Sequence, residues 1–238
     1  MKRRILVINL KGRLLQIANM VDSCNKLADI GTDHAYIPIY LFQSGVCKKV
    51  IATDIREEPL KKAEGNIDKL NLTGMIELRL GDGIKPIKDG ECDAFIIAGL
   101  GGFLISEILE DSLEKAKKAK YIILQPMYTE EVLREYLLTS GFNISSEVLV
   151  YDEKRIYVVI KASYDGVKRI EEPLYYHIGK PLFDNRDPLL KRYLERKIRI
   201  QTKIFQGLKQ SENKDREQYF KEQEVLIQLQ EAYTASFK

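Results

Sequence analysis

The sequence predicts an α/β fold: a doubly wound, mostly parallel seven-stranded sheet closed by an antiparallel hairpin, then an antiparallel, coiled-coil-like helical pair. Three observations predict it. From residue 26 to about 139, short apolar runs alternate with amphipathic stretches of helical period. The last two apolar runs are joined only by Asp152-Glu153-Lys154, too few residues for a parallel crossover. Beyond Pro188 the apolar residues shift to helical and heptad spacing.

Each element follows in order. KLADI (26–30) is a strand, and a helix opens near Tyr36 with Pro38 tolerated in its first turn. KVIATD (49–54) is a strand, followed by a helix over 57–70 with Leu60, Ala63, Ile67 and Leu70 on one face. MIELRL (75–80) ends at Gly81-Asp82-Gly83, and DAFIIA (93–98) is apolar throughout, as a strand covered on both faces should be. GLGGFLISEILE leads into a helix, YIILQ (121–125) is the fifth strand, and 129–139 is helical. The hairpin strands span about 143–151 and 155–162. Residues 163–186 read as irregular. Leu190, Leu194, Ile198, Phe205 and Leu208 then form one stripe, and Tyr219, Leu226 and Tyr233 recur every seven residues with Leu229 between them. Two domains follow, 1–162 and 163–238.

Bulk properties narrow the function. A chain of 238 residues, 45% hydrophobic and 31% charged, can bury one sizeable core. ILVINL is cut short by Lys11 and Arg13, too short for a signal-peptide core. No segment approaches the ~20 apolar residues of a membrane span. Cys24, Cys47 and Cys92 show neither metal-ligand nor disulfide spacing, so no metal is expected and a reducing cytoplasm is. Residues 1–162 are charge-balanced, with 23 basic and 23 acidic side chains, and the excess lies elsewhere. Residues 187–209 carry Lys191, Arg192, Arg196, Lys197, Arg199, Lys203 and Lys209 against Asp187 and Glu195. Lys2, Arg3, Arg4, Lys11 and Arg13 form a second patch without an acid. Both fit a polyanionic partner; solvated faces are the alternative.

In open α/β sheets ligands bind beyond the carboxyl ends of the strands. Asp54 ends the second strand 23 residues after Gly31, where a carboxylate suits two adjacent ribose hydroxyls. A helix N-cap or an ion pair with Arg56 is the alternative. Asp82, between glycines, suits an adenine amine, or makes a plain turn. Gly99-Leu100-Gly101-Gly102 fits a phosphate loop poorly but would keep a pocket floor open. Gln125 directs an amide into the same rim, unless Pro126 simply ends the strand. In ADIGTDHAYIPIYL (28–41), Asp33 and His34 stand where a phosphate would need bare backbone. Asp33 would repel a pyrophosphate. S-adenosylmethionine has no phosphate, and its sulfonium and ammonium groups favour carboxylates, which accounts for Asp29 and Asp33. His34 could bond the cofactor's carboxylate, frame the acceptor pocket or cap the helix.

LADIGTDHAYIPIYL, ATDIREEPLKKAEGNI, LRLGDGIKPI, AGLGG and ILQPM occur in this order. Together they resemble the bacterial tRNA (adenine(22)-N1)-methyltransferase family, strongly over about 10–162 and by architecture beyond. Leu100 stands where Met is expected. The resemblance implies a Rossmann-like class I methyltransferase domain with a C-terminal coiled-coil domain, S-adenosyl-L-methionine as cofactor and tRNA as partner. It implies cofactor contacts from Asp29, Gly31, Asp33, His34, Asp54, Asp82 and the Gly99–Gly102 loop. Thr32, Ile55, Gly81, Gly83, Ala98 and Gly101 flank these positions and complete the expected set. Asp33, His34 and Gln125 are the candidates for touching the acceptor adenine. Arg3, Arg4, Lys11, Arg13, Arg192, Arg196, Lys197, Arg199 and Lys203 are the candidates for the RNA backbone. A cytoplasmic monomer is expected. A methyltransferase for another acceptor and a non-catalytic RNA-binding module are the rivals. An NAD-dependent oxidoreductase would need GxGxxG.

Overall fold

The structure is a computed structural model describing residues 8–210 and 215–237, so Lys2, Arg3 and Arg4 of the N-terminal patch lie outside the described residues. The chain forms two compact units, the first ending at Arg169 and the second beginning at Ile170.

In the first unit, α1 (Gly12–Asn19) precedes β1 (Cys24–Ile30), α2 (Tyr36–Gln43), β2 (Cys47–Asp54), α3 (Glu57–Lys69) and β3 (Ile76–Leu80). Next come β4 (Ala94–Leu100), α4 (Gly102–Asp111), α5 (Leu113–Lys118), β5 (Tyr121–Pro126), α6 (Glu130–Thr139), β6 (Phe142–Asp152) and β7 (Arg155–Tyr164). The seven strands make one sheet in the order β3-β2-β1-β4-β5-β7-β6. β1 to β5 are parallel to their neighbours; β7 is antiparallel to both β5 and β6. The order reverses between β1 and β4, which opens a crevice at their carboxyl ends.

The expected strands all form, within a few residues of their expected ends. α1 and the short α5 are additions. The N-terminal segment is dominated by basic residues, and α1 is only 8 residues long, so its apolar face, with Ile17 and Ala18 buried, gives little periodic signal. The core is aliphatic: Ile96, Ile97, Ile123, Leu124, Val158, Val159 and Ile160 are fully buried. Burying each such side chain stabilises the fold by about 1.5–3 kcal/mol. Pairing of Phe142 with Tyr164 and an Arg169 N–H bond to the Leu138 carbonyl at 2.8 Å tie 163–169 to this unit, beyond the boundary expected at 162.

The second unit contains α7 (Pro173–His177), α8 (Lys180–Asp184), α9 (Leu190–Gln210) and α10 (Arg216–Phe237). The stretch expected to be irregular therefore holds two short helices, each with proline in its first turn. Near the start of α9, Glu195 accepts from the Tyr233 hydroxyl at 2.9 Å, near the end of α10. At the other end Phe205 meets Tyr219, ring centroids 5.0 Å apart. The pair is antiparallel, as expected. Its buried residues on α10 are Val225 and Leu229, with Tyr219, Leu226 and Tyr233 half-buried beside them.

One buried charge pair pins α6 to β6. Arg134 donates to Glu147 at 2.8 and 3.3 Å, and both side chains are wholly buried. Arg134→Leu leaves Glu147 uncompensated, so unfolding in urea should show a loss of about 3–5 kcal/mol.

Candidate active site

The crevice at the switch point is a cavity of about 780 Å³ within the first unit. Expected site residues Asp29, Gly31, Asp33, Asp54, Ile55, Gly81, Asp82, Gly83, Ala98 and Gly99 all line it. They come from the ends of β1 to β4 and the loops after them.

The loop after β1 is fixed by backbone bonds. Gly31 and Thr32 N–H groups both donate to the Thr53 carbonyl, at 2.9 and 2.8 Å. His34 and Ala35 then take left-handed φ of 60° and 56°, which for non-glycine residues costs about 1–3 kcal/mol each. The Asn66 amide holds this turn by donating to the His34 carbonyl at 3.0 Å. The turn leaves Asp33 largely exposed and 3.4 Å from His34 Nε2, with the imidazole stacked on Tyr36. His34 is not a wall of the cavity, whereas Tyr36 is.

Asp29 is 6% exposed, and burial with Asp54 nearby raises its carboxyl pKa to about 6. The Thr32 side chain tempers that rise, although its buried hydroxyl makes no hydrogen bond of good geometry among the described residues. Asp54 Oδ1 accepts the Arg56 N–H at 2.8 Å in the turn before α3 and lies 3.7 Å from Arg56 Nε, so of the two alternatives the ion pair is present and the N-cap is not, Arg56 itself standing at the cap position. That bond fixes the carboxylate without excluding Oδ2 from the cavity. Asp82 pairs with Lys85 at 2.5 Å, and Lys85 also reaches Asp111 at 3.0 Å.

Two expectations are corrected here. Gly101 does not line the cavity: a Cβ on it would lie 2.6 Å from the Tyr128 ring, so its role is close packing. Gly102 likewise seats the Thr129 carbonyl. Gly99 differs, for it sits at a register shift between β4 and β5 with φ of 77° and faces the cavity. Gln125 is also displaced from the open rim. It is fully buried, its Nε2 donating to the Pro126 carbonyl at 2.8 Å and its Oε1 accepting from Arg13 Nη1 at 3.2 Å.

Arg13, expected at the RNA backbone, lines this cavity with Leu14. Leu100, at the end of β4 and within the expected Gly99–Gly102 segment, supplies apolar wall, and so do Leu104 and Ile108, which the strand-end reasoning did not reach because they lie on α4. Of the other expected RNA contacts, Lys11, Arg192, Arg199 and Lys203 are exposed and Arg196 is half-buried. Lys197 is corrected: it is 7% exposed, with its ammonium 5.8 Å from the Tyr193 ring centre, and is not presented to a phosphate.

The arrangement suits a ligand with cationic character and no phosphate. Carboxylates from three strand ends converge, and Gly31 and Gly99 line the same cavity at left-handed φ of 77° each. Among the described residues no cluster of His, Cys, Asp and Glu is suited to a metal ion, and no helix is long and apolar enough to cross a membrane.

Comparisons with known proteins agree with this geometry. Residues 10–160 match the family described as methyltransferase domain. The chain is 35% identical over 167 residues to the tRNA (adenine(22)-N(1))-methyltransferase of Bacillus subtilis, covering 67% of this chain and 70% of that one. The M. capricolum TrmK structure, in complex with S-adenosyl-homocysteine, is 32% identical with a TM-score of 0.80, covering 94% of this chain and 98% of that one. The B. subtilis M1A22 tRNA methyltransferase TrmK structure is 27% identical with a TM-score of 0.79, covering 95% and 97%.

Gly102→Ala should cost about 1–3 kcal/mol by overpacking, read as a lower urea midpoint, because the Thr129 carbonyl cannot retreat like a side-chain tip.

Proposed function

The chain belongs to the bacterial tRNA (adenine(22)-N1)-methyltransferase family, and on that premise we propose that it methylates N1 of an adenine, position 22, in tRNA. The observation that carries the reading is the acidic, glycine-floored cavity at the β1–β4 switch point. The M. capricolum relative is in complex with S-adenosyl-homocysteine, and the residues of this cavity fit that class of molecule. Asp54 would hold the ribose hydroxyls, Asp82 the adenine amine, and Asp29 and Asp33 the ammonium end, with Gly31, Gly81, Gly83, Ala98, Gly99 and Ile55 as walls. Bound there, S-adenosylmethionine supplies an electrophilic methyl group on a sulfonium.

The chain's own task follows from the acceptor. Adenine N1 carries an in-plane lone pair and no proton to lose, so a strong general base is not required. Orientation, water exclusion and stabilisation of the cationic product base remain. Because N1 lies on the pairing edge, a paired adenine must be unpaired or flipped. Exposed Asp33, with His34 stacked on Tyr36 beside it, faces outward next to the cavity and is the first candidate to meet the base. Gln125, fully buried, is removed from that set. Lys11, Arg192, Arg199 and Lys203 would hold phosphates. The protein would work as a cytoplasmic monomer.

Labelled methyl transfer to total tRNA, with the modified base mapped, tests the reading; N1-methyladenine at position 22 is expected, and another base or none refutes it. Replacing Arg192, Arg199 and Lys203 together by Ala should raise KM for tRNA. It should also flatten the salt dependence of binding by about 0.9 in log–log slope for each phosphate that is no longer neutralised.

Asp29 sets a pH dependence. Burial keeps it a neutral acid below about 6, and it becomes a carboxylate above. S-adenosylhomocysteine affinity should therefore strengthen as pH rises through about 6 and then level off. Asp29→Asn should flatten that step in a calorimetric pH series.

A further inference from the structure

We infer that Cys24 and Cys47, which open β1 and β2, are an oxidation site: a hydroperoxide converts the two thiols to a disulfide that staples the sheet at the end opposite the cavity. The inference is independent of the cofactor reading and of the acceptor.

Sequence spacing hides this pair, and the fold creates it. The two cysteines stand 23 positions apart, yet parallel pairing of β1 with β2 makes them register partners. Neighbouring strands lie about 4.7–4.9 Å apart, within the span of about 4.4–6.8 Å that a disulfide bridges between Cα atoms. All three cysteines of the chain are free thiols, and here the two sulfurs already meet, at 2.8 Å. The start of β1 is held in place. The Cys24 N–H donates to the Val46 carbonyl at 3.0 Å, and the next two N–H groups, of Asn25 and Lys26, both donate to Asp93 Oδ2. Closing the bond therefore asks for a side-chain rotation and little backbone movement.

The two thiols are chemically unequal, which gives the reaction a direction. The hydrogen bond from Cys47 holds the Cys24 thiol below its ordinary range, with Lys120 and Tyr121 helping and burial opposing. Cys47 keeps its proton, because losing it would forfeit that bond and burial disfavours the charge. Cys24 is also the more accessible of the two, 8% exposed against 1%. Cys24 is thus the attacking sulfur and Cys47 the resolving one. The Cys24 thiolate attacks one peroxide oxygen and the O–O bond breaks. Cys24 becomes a sulfenic acid, and the leaving oxygen takes a proton to become water or an alcohol. Cys47 then attacks the Cys24 sulfur. The S–S bond forms, the S–O bond breaks, and the oxygen leaves as water with the Cys47 proton. The thiols lose two electrons and the hydroperoxide gains them. Cys92 differs, for burial pushes its thiol up to about 12 and keeps it protonated.

The bond closes a loop containing the Gly31 turn and α2 without touching the cavity. Cys24 lies six residues before Ile30, about 20 Å along the strand. The expected effect is on the stability of the β1–β2 pair and not on ligand affinity.

Hydrogen peroxide treatment of the full chain tests this, followed by alkylation in denaturant and tryptic mapping, since Lys26 lies between the two cysteines. The expected product is a monomer lighter by two hydrogens, with the Cys24 and Cys47 peptides joined and Cys92 alkylated. Its Tm should rise by about 5–10 °C and fall back with dithiothreitol. S-adenosylhomocysteine affinity should stay within about twofold of the reduced chain. Cys24→Ser and Cys47→Ser should each abolish the joined peptide and the rise in Tm. The wild-type peptide map decides the matter if either variant fails to fold. Full alkylation of Cys24 and Cys47 after peroxide, a bond to Cys92 or between chains, or a joined pair with unchanged Tm overturns the inference.

Discussion

The site depends on one electrostatic constraint: parallel strands running out at a switch point deliver carboxylates into a shared crevice, Asp29 and Asp54 of them buried. Asp29, Asp54 and Asp82 end or follow β1, β2 and β3, and Asp33 follows in the loop after β1. Like charges gathered in a low dielectric disfavour their own ionisation. The fold relieves this locally. Asp54 receives a backbone N–H, Asp82 receives Lys85, and Asp29 holds its proton up to about 6. Arg13, Arg56 and Lys62 also line the cavity, but its carboxylates outnumber them, so a ligand with cationic character suits it.

The terminal hairpin takes part in the same problem. Its β6 end supplies Asp152 to α1, and β7 supplies the Tyr157 ring, so the two strands most distant in sequence from the Gly31 loop fix Arg13 beside the cavity. A sheet without the hairpin could still bring β1 to β4 together. It would not hold Arg13 there.

The sheet was legible in the sequence because apolar runs bounded by Gly, Asp and Pro report burial directly, and each strand end followed from that. Asp54, Asp82 and Gly99 could be named as lining residues from strand ends, since a carboxylate or glycine after a strand is a local signal, and the other seven came with the charge argument and the family resemblance. Arg13 was not legible as a site residue. Its charge placed it with Lys2 and Lys11, and only the packing of α1 on a hairpin 139 residues away moves it inside. Lys197 failed for the converse reason: seven basic residues in a run look alike, and only helix packing shows which one is buried. Gly101 and Gly99 are also indistinguishable in sequence, and differ because one sits under Tyr128 and the other at a bulge.

The loop Gly31–Tyr36 carries the sharpest consequence. A phosphate-binding turn keeps glycines so that backbone N–H groups can close on oxygens, but here Gly31 and Thr32 N–H groups are already spent on the Thr53 carbonyl. The chain then places two non-glycine residues at left-handed φ, a cost that glycine would remove. Retaining side chains at that cost makes sense only if the side chains are used. Of the two, His34 has its ring braced on Tyr36 beside the exposed Asp33, while Ala35 packs its methyl group in the core. The missing glycines are therefore not a weakened phosphate loop but a different arrangement, in which side chains stand at the cavity where bare backbone stands elsewhere.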